Sequence, residues 1–283
     1  QPSLLPPLGA LTVEGEFEFA AASHCPMETE CAIADVRADR AEIWSGLQSP
    51  IVTQQAVAIE LGLPLDKVKV HAVPSGGSFG RRLFWDATVQ AVQVSKALGR
   101  PCRLMYHRTD DMRHGRVRPP MFHRARATML LGQVISFEQR IAGVRLDTRH
   151  GFGEMLGAAA IALPNGFPQT VGNFAIEQVM FKTMVTSPYN FGITTKLLTP
   201  VAMDINTCSY RSVHIQPSRL VEEILVDEMA RALRKDPVAF RLEYLRLPRA
   251  RAVLKAVAEA GQWGKAMPPG VAQGVGVHQG SKS

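Results

Sequence analysis

Residues 67–98, KVKVHAVPSGGSFGRRLFWDATVQAVQVSKAL, contain the pattern that decides the fold of this chain. Lys67 to Val73 alternates polar and apolar residues, which predicts a strand that ends at Pro74. Trp85 to Leu98 has apolar residues at helical spacing, and Gly99 is placed to end that helix. A glycine-rich loop therefore connects a predicted strand to a predicted helix.

The segments on either side continue the alternation of strands and helices. Glu42 to Leu47 is a predicted strand, and Ser49-Pro50 is typical of a helix start. A helix is therefore predicted over Ile51 to Leu61, with Gly62 at its C-terminal cap. A further strand is predicted over Cys102 to His107. Such alternation usually means that helices pack on a sheet.

The rest of the chain has a different pattern. Two long strands joined by a glycine turn are predicted at Phe122 to Leu131 and Val134 to Val144. Three helices are predicted towards the C-terminus: Val221 to Arg234 after a Ser218 cap, one opened by Asp236-Pro237 that reaches about Leu245, and Arg249 to Ala260. A final strand is predicted at Gly274 to His278, and the poor periodicity of Gly151 to Asn206 predicts no element there. We therefore expect an α+β, or mixed α/β, fold.

Composition restricts the classes of function. The 283 residues are 46% hydrophobic, which is enough for a substantial core, and no apolar run approaches the ~20 residues of a membrane-spanning helix. The net charge is +7, but the densest basic stretch, Arg108 to Arg126, contains few aromatic residues to stack on bases. An acidic partner subunit or an anionic cofactor is therefore favoured over nucleic acid. Four scattered cysteines indicate no disulfide framework and leave the compartment, bacterial cytoplasm or periplasm, open.

The glycine-rich loop from Gly76 to Arg82 has two interpretations. Backbone N–H groups at the start of a helix can face an anionic or electron-rich ligand, and glycines let that ligand approach closely. The loop is not a phosphate-binding P-loop or a dinucleotide fingerprint, because the residues and glycine spacing differ. Alternatively, it is a tight connection with Phe79 buried in the core. The loop by itself favours this second interpretation.

Other short motifs accompany the G-G-x-F-G loop and its basic pair in a fixed order. They are His24 to Glu28, Ile43 to Pro50, Leu61 to Val70, Gly99 to Arg103, Arg108 to Met112, Ser187 to Gly192, Tyr210 to Val213 and Asp227 to Arg241. Together they resemble the large, molybdenum-cofactor-binding subunits of xanthine dehydrogenase/aldehyde oxidase-type hydroxylases. The branch related to isoquinoline 1-oxidoreductase and bacterial aldehyde dehydrogenases is the most similar. The resemblance covers roughly Val13 to Val277.

This resemblance implies a cofactor, a reaction and a partner. The cofactor would be a molybdopterin-type molybdenum cofactor. The implied cofactor-binding residues lie on two loops: Gly76, Gly77, Phe79 and Gly80, and then Arg211, Ser212 and Val213. Members of the family are oxidoreductases that hydroxylate an aldehyde or an N-heterocycle with oxygen from water. The electrons pass to an iron–sulfur (2Fe-2S) small subunit.

Some residues depart from the family pattern or have more than one interpretation. Leu83 stands where xanthine-oxidising members have a glutamate, so purine-like substrates are not expected. The family's catalytic glutamate belongs to a G-x-G-E-type stretch, and the similar string Gly274 to Val277 contains none. We therefore assign no catalytic residue and no metal ligand, and we expect this chain alone to be inactive. Glu28 is either a buried acid near the pocket or a hydrogen-bond acceptor for loop backbone.

The predicted organisation is a fragment of a longer subunit, because the chain has no initiator Met. Residues 1–12 would be a tail or linker, 13–245 a first molybdopterin-binding domain, 246–270 a helix and linker, and 271–283 the truncated start of a second such domain. Two rival functions stay open. One is a non-catalytic binding or assembly domain of the same fold, and the other is an unrelated α/β enzyme that binds a phosphorylated ligand at the glycine loop.

Overall fold

The computed structural model describes residues 6–151 and 177–280. Within these ranges the strands are β1 (Leu11–Phe19), β2 (Ala22–Ser23), β3 (Cys31–Val36), β4 (Ala41–Ser45), β5 (Val68–Ala72), β6 (Cys102–Met105), β7 (Val117–Arg118), β8 (Met121–Leu130), β9 (Gln133–Val144) and β10 (Ile193–Val201). The helices with both ends described are α1 (Pro50–Leu61), α2 (Asp86–Leu98), α3 (Arg108–Arg113), α4 (Ile215–Ala232), α5 (Pro237–Tyr244) and α6 (Pro248–Ala260). Residues 177–184, in the stretch where the sequence predicts no element, are helical as well. The expected mixture of helices and strands is confirmed. In the described part of the chain, no helix has the length and apolar character needed to cross a membrane.

The first sheet has the strand order β5-β4-β3-β6 and carries α1 and α2 on one face. Alternate residues of β3, which are Ala32, Ala34 and Val36, are buried in one apolar core with Val57 of α1 and Ala91 of α2. The predicted order of strand, helix, strand, glycine loop, helix and strand is confirmed. Because β4 and β5 run parallel, their carboxyl ends lie side by side at one edge.

The second sheet has the order β1-β8-β9-β10. Its centre is the predicted hairpin of β8 and β9, whose turn residues Leu131 and Gly132 have φ angles of 50° and 78°. Positive φ at both residues is the hallmark of the tight type I′ hairpin turn. The helix α4 packs on β1 and β8, and Phe137, Leu225 and Phe240 share the buried core between this sheet and helices α4 to α6.

The edge strand β10 is an element that the sequence does not predict. It pairs in parallel with β9, and most of its residues are only partly buried. Half-buried edge strands lack a clear apolar alternation, and Pro200 has no N–H to contribute to a ladder. Residues 152–176, which belong to the same unassigned stretch, lie outside the described residues.

Two predictions near the C-terminus are wrong in detail. Ser218 does not cap α4, because the helix begins at Ile215 and Ser218 lies inside it, 1% exposed. Pro217 falls in the first helical turn, where the missing N–H costs no hydrogen bond.

The strand predicted at Gly274 to His278 is also absent from residues 271–280. Val275 and Val277 instead pack against the core of the second sheet, and the Val277 N–H donates to Glu223 Oε2 at 3.0 Å. A side-chain acceptor thus replaces the neighbouring strand that a ladder would need. The assignment of residues 271–283 to a second domain stays a prediction.

The start of α5 follows the prediction in atomic detail. Asp236 is its N-cap, and Oδ1 accepts hydrogen bonds from the Val238 and Ala239 N–H groups, both at 2.9 Å. The other carboxylate oxygen accepts from Trp263 Nε1 at 2.8 Å. One aspartate therefore caps α5 and ties the segment after α6 to it.

We expect Asp236→Ala to lower the free energy of unfolding by about 1 kcal/mol, because it removes the cap. Asp236→Asn keeps an acceptor for the helix N–H groups and is expected to lose less. Urea unfolding of the two variants and the parent chain measures the difference. Equal losses for alanine and asparagine would contradict the capping role.

Candidate functional site

Two loops distant in sequence meet at one place in the fold. We call residues 76–82 the glycine loop and residues 209–213 the second loop. The Arg211 N–H donates to the Phe79 carbonyl at 2.8 Å. A Cβ on Gly80 would lie 2.6 Å from the Ser209 carbonyl oxygen, so only glycine fits at this approach. The structure therefore brings the two predicted groups of site residues together.

Both loops contain residues in unusual backbone conformations. In the glycine loop, Phe79 has a φ of 56° and Gly80 a φ of 101°. In the second loop, Ser212 and Val213 have φ angles of 73° and 45°. Positive φ is rare for residues other than glycine, and for a β-branched valine it is an outlier. Such strain is concentrated at functional sites, where the surrounding structure holds it in place.

The glycine loop presents free hydrogen-bond donors. The N–H groups of Gly77, Ser78 and Phe79 have no acceptor among the residues that the structure describes. The next N–H, that of Gly80, donates to Ser78 Oγ at 3.3 Å. Three successive free N–H groups in a loop with positive φ angles suit an anionic or electron-rich ligand.

Phe79 does not fill the core. Its side chain is 45% exposed, so the interpretation of the loop as a tight connection around a buried phenylalanine is wrong. Arg211 and Ser212 of the second loop are exposed as well. The ring of Phe79 and the side chains of Arg211 and Ser212 are thus exposed at the junction where the two loops meet.

Arg82 and Glu28 support the glycine loop from its buried side. The Arg82 side chain is almost fully buried, and its Nε donates to the Gly77 carbonyl at 3.0 Å. Its Nη2 donates to Glu28 Oε2 at 2.8 Å, and the Gly76 N–H donates to the same oxygen at 3.1 Å. Glu28 is therefore a hydrogen-bond acceptor for the loop, in agreement with the second of its two interpretations.

A second buried network lies where the glycine loop enters α2. Asp86 accepts from Arg81 at 2.8 Å and from both Nε and Nη2 of Arg116, each at 2.8 Å. Burial alone would raise the pKa of Asp86, but hydrogen bonds from His150 and Arg116 and the charges of Arg116 and Arg81 hold it well below its usual range. Arg116 also donates to the Thr207 carbonyl at 2.9 Å, which fixes the approach to the second loop.

A cleft of about 600 Å³ lies on the second sheet, among residues of β1, β8, β9 and β10, and none of the predicted site residues lines it. Among the described residues, no group of three or more His, Cys, Asp and Glu side chains is placed to hold a metal ion. What the two loops offer a ligand is therefore mainly backbone N–H donors beside an aromatic ring.

Residues 9–245 match the family model described as the molybdopterin cofactor-binding domain. The chain belongs to this family. The beta subunit of isoquinoline 1-oxidoreductase from Brevundimonas diminuta is 33% identical over 243 residues, which cover 84% of this chain and 29% of that protein. One subunit of nicotinate dehydrogenase from Pseudomonas putida is 27% identical over 247 residues, which cover 85% of this chain and 19% of that protein. The chain thus spans less than a third of these relatives.

Solved structures show the same fold. Quinoline 2-oxidoreductase from Pseudomonas putida 86 superposes with a TM-score of 0.72 at 20% identity, over 89% of this chain and 32% of that one. Aldehyde oxidoreductase from Desulfovibrio gigas gives a TM-score of 0.70 at 21% identity, over 89% and 27% of the two chains. The expected family, its oxidoreductase class and molybdopterin as its cofactor are confirmed. An unrelated α/β enzyme is excluded.

The residues present at the junction of the two loops fit this cofactor. A molybdopterin-type cofactor carries phosphate and oxo oxygens, which accept hydrogen bonds, and Gly77, Ser78 and Phe79 offer three free N–H donors. The carboxylate that contacts the glycine loop, that of Glu28, is already bound to Arg82 and Gly76. It therefore does not present an unpaired negative charge to an anionic ligand.

One residue at this site of the molybdopterin-binding domain, Gln48, was not predicted from the sequence. Gln48 donates its N–H to the Arg82 carbonyl at 2.9 Å, and its side-chain oxygen accepts from Ser78 Oγ. It lies shortly after the end of β4, and the glycine loop follows the parallel strand β5. The signal that could have identified it is a polar residue just after a strand beside the loop-bearing strand, where ligand sites form in such sheets.

Gly80→Ala tests the contact between the two loops. We expect it to lower the free energy of unfolding by about 1–3 kcal/mol, because alanine would adopt a strained φ and collide with the Ser209 carbonyl. Gly99→Ala is the matched control, since Gly99 has a φ of 66° but nothing within 4 Å of the added Cβ. Urea unfolding should show a clearly larger loss for Gly80→Ala. Similar losses would mean that the contact is looser than the structure shows.

Asp86→Asn tests the buried network. We expect a loss of about 3–5 kcal/mol at neutral pH, because two buried arginines lose their carboxylate. The folded pKa of Asp86 lies below the unfolded value of ~4, so its contribution is complete above that value and is lost as the pH falls. The difference between the two proteins should therefore shrink below about pH 5. Asp35→Asn, at a partly exposed ion pair with Arg37, should cost at most about 1 kcal/mol.

Proposed function

We propose that this chain forms one wall of the molybdopterin site in the large subunit of a molybdenum hydroxylase. The observation that supports the proposal is the junction of the two loops through the Arg211 N–H and the Phe79 carbonyl, 2.8 Å apart. The junction leaves the N–H groups of Gly77, Ser78 and Phe79 free beside a half-exposed aromatic ring. The cofactor-binding residues of the proposal are Gly76, Gly77, Phe79 and Gly80, with Arg211, Ser212 and Val213.

The proposed reaction is hydroxylation of an aldehyde or an N-heterocycle with oxygen from water. Two of the relatives, isoquinoline 1-oxidoreductase and nicotinate dehydrogenase, carry the names of N-heterocycles. Leu83, which follows the glycine loop and stands where xanthine-oxidising members have a glutamate, argues against purine-like substrates, since its side chain cannot accept hydrogen bonds. When bound, the cofactor supplies the redox chemistry of the reaction.

The residues of this chain supply position and electrostatics. The free N–H groups donate hydrogen bonds to oxygens of the cofactor, and they are held in place before it binds. The Phe79 ring covers one side of the bound cofactor and keeps water away from it. No base is assigned among these residues, because the family's catalytic glutamate has no counterpart at Val277. The complete site therefore needs a glutamate from elsewhere in the large chain.

The proposed partner is an iron–sulfur (2Fe-2S) small subunit that receives the electrons. Both of the relatives described above are named as subunits, which supports an assembly of more than one chain. The rival function is a binding or assembly domain that keeps the fold without catalysis. The two functions differ in what the purified complex contains and oxidises.

The decisive experiment expresses the complete gene with the neighbouring small-subunit gene in a host that makes the cofactor. We expect the purified complex to contain about one molybdenum and one pterin per large subunit, and to reduce a dye when an aldehyde or an N-heterocycle is added. Protein free of both metal and pterin would overturn the proposal. Loaded protein that oxidises neither class of substrate would favour the non-catalytic rival.

A further inference from the structure

We propose that Glu28 and Arg82 form a positioning pair that aims the free N–H groups of the glycine loop at the cofactor. This inference rests on the proposed function, because it assigns a role to two residues that support the same loop. Neither residue is among those proposed to touch the cofactor. Each of the two fixes the direction of a different peptide plane.

Arg82 fixes the peptide between Gly77 and Ser78. Its Nε binds the Gly77 carbonyl at 3.0 Å from the buried side. In a trans peptide the C=O and the following N–H point in opposite directions. The hydrogen bond from Arg82 to the Gly77 carbonyl therefore directs the Ser78 N–H towards the open side of the loop.

Glu28 fixes the preceding peptide through its backbone. Its backbone N–H donates to the Gly76 carbonyl at 3.3 Å, so the N–H of Gly77 points away from Glu28. Its carboxylate oxygen Oε2 also holds the Gly76 N–H at 3.1 Å. Two of the three free donors thus owe their direction to Glu28 and Arg82.

The two side chains hold each other. Arg82 Nη2 and Glu28 Oε2 are 2.8 Å apart, and the arginine side chain is 2% exposed against 35% for the glutamate. The next carboxylate, that of Glu30, approaches Arg82 Nε only to 4.0 Å, beyond hydrogen-bond distance. Arg82 therefore depends on Glu28 for its close ionic partner.

The surroundings leave the pair little freedom to shift. A Cβ on Gly76 would lie 2.7 Å from Glu28 Cβ, and a Cβ on Gly46 would lie 2.8 Å from Arg82 Nη1. Further bonds from Arg82 Nη2 to the Thr29 carbonyl, at 3.2 Å, and from Nη1 to the Gly46 carbonyl, at 3.4 Å, fix the plane of the guanidinium. A substitution of Glu28 or Arg82 should therefore displace the glycine loop.

The test compares variants of the complete holoprotein, co-expressed with its small subunit. Arg82→Lys keeps the charge, but one ammonium group cannot reproduce the fork that binds Gly77 and Glu28 together. We expect molybdenum and pterin contents to fall about tenfold, the effect of losing roughly one charged hydrogen bond. The molybdenum electron paramagnetic resonance signal of the remaining loaded protein should also shift.

A matched control separates positioning from stability. Arg241 is also fully buried, among the helices that pack on the second sheet. Its Nε donates to Glu223 Oε2 at 3.0 Å and its Nη1 to Asp227 Oδ1 at 2.7 Å. Arg241→Lys should lower the thermal midpoint at least as much as Arg82→Lys while the cofactor content stays near the parent value. If cofactor content follows the thermal midpoint in both variants, the pair is merely structural and the proposal is overturned.

Glu28 provides a second pair of variants in case Arg82→Lys does not fold. Glu28→Gln keeps an oxygen that accepts from Gly76 and Arg82, so we expect it to retain most of the cofactor. Glu28→Ala keeps the backbone N–H that binds the Gly76 carbonyl but removes the acceptor of the Gly76 N–H and of Arg82, so we expect it to lose most of the cofactor. Full loading of Glu28→Ala would overturn the positioning role while leaving the proposed function intact. A parent complex without molybdenum and pterin would overturn both.

Discussion

The contact of Gly80 with the Ser209 backbone is the constraint on which the candidate site depends. It joins a loop of the first sheet to the segment that enters α4, far along the chain. The accompanying hydrogen bond from Arg211 to Phe79 contributes only about 1 kcal/mol, too little to close so long a loop. Arg116, which binds Asp86 beneath the glycine loop and the Thr207 carbonyl before the second loop, holds the two segments together.

Burying three arginines at this junction costs free energy, because each loses hydration, and the three do not share one carboxylate partner. Arg81 and Arg116 share the carboxylate of Asp86, whereas Arg82 has Glu28. Buried ion pairs often add little net stability over apolar packing, because both charges lose water. They do fix geometry, since each guanidinium has a planar set of donors that must be met together. The buried ion pairs at the junction therefore add little stability, but they hold the backbone in a defined arrangement.

Prediction from sequence succeeded where the determinants are local. The helix α2, the β8–β9 hairpin and the Asp236 cap all follow from residue spacing or turn chemistry within a few positions. It failed for β10, whose edge position weakens its pattern, and for Gly274 to His278, where packing on another element replaced a strand partner. The site residues could be named through the resemblance. The bond between Glu28 and Arg82, 54 positions apart, has no local signature.

A site built from backbone donors places an unusual demand on sequence. Every residue except proline has an N–H, so the donors at Gly77 and Ser78 do not depend on which side chains these residues carry, and what must be specified is their direction. Direction is set by the carbonyl on the other side of each peptide, and therefore by whatever binds that carbonyl. For the Ser78 N–H this is the side chain of Arg82, which Glu28 holds, and for the Gly77 N–H it is the backbone N–H of Glu28. The groups that direct these donors thus lie behind the loop.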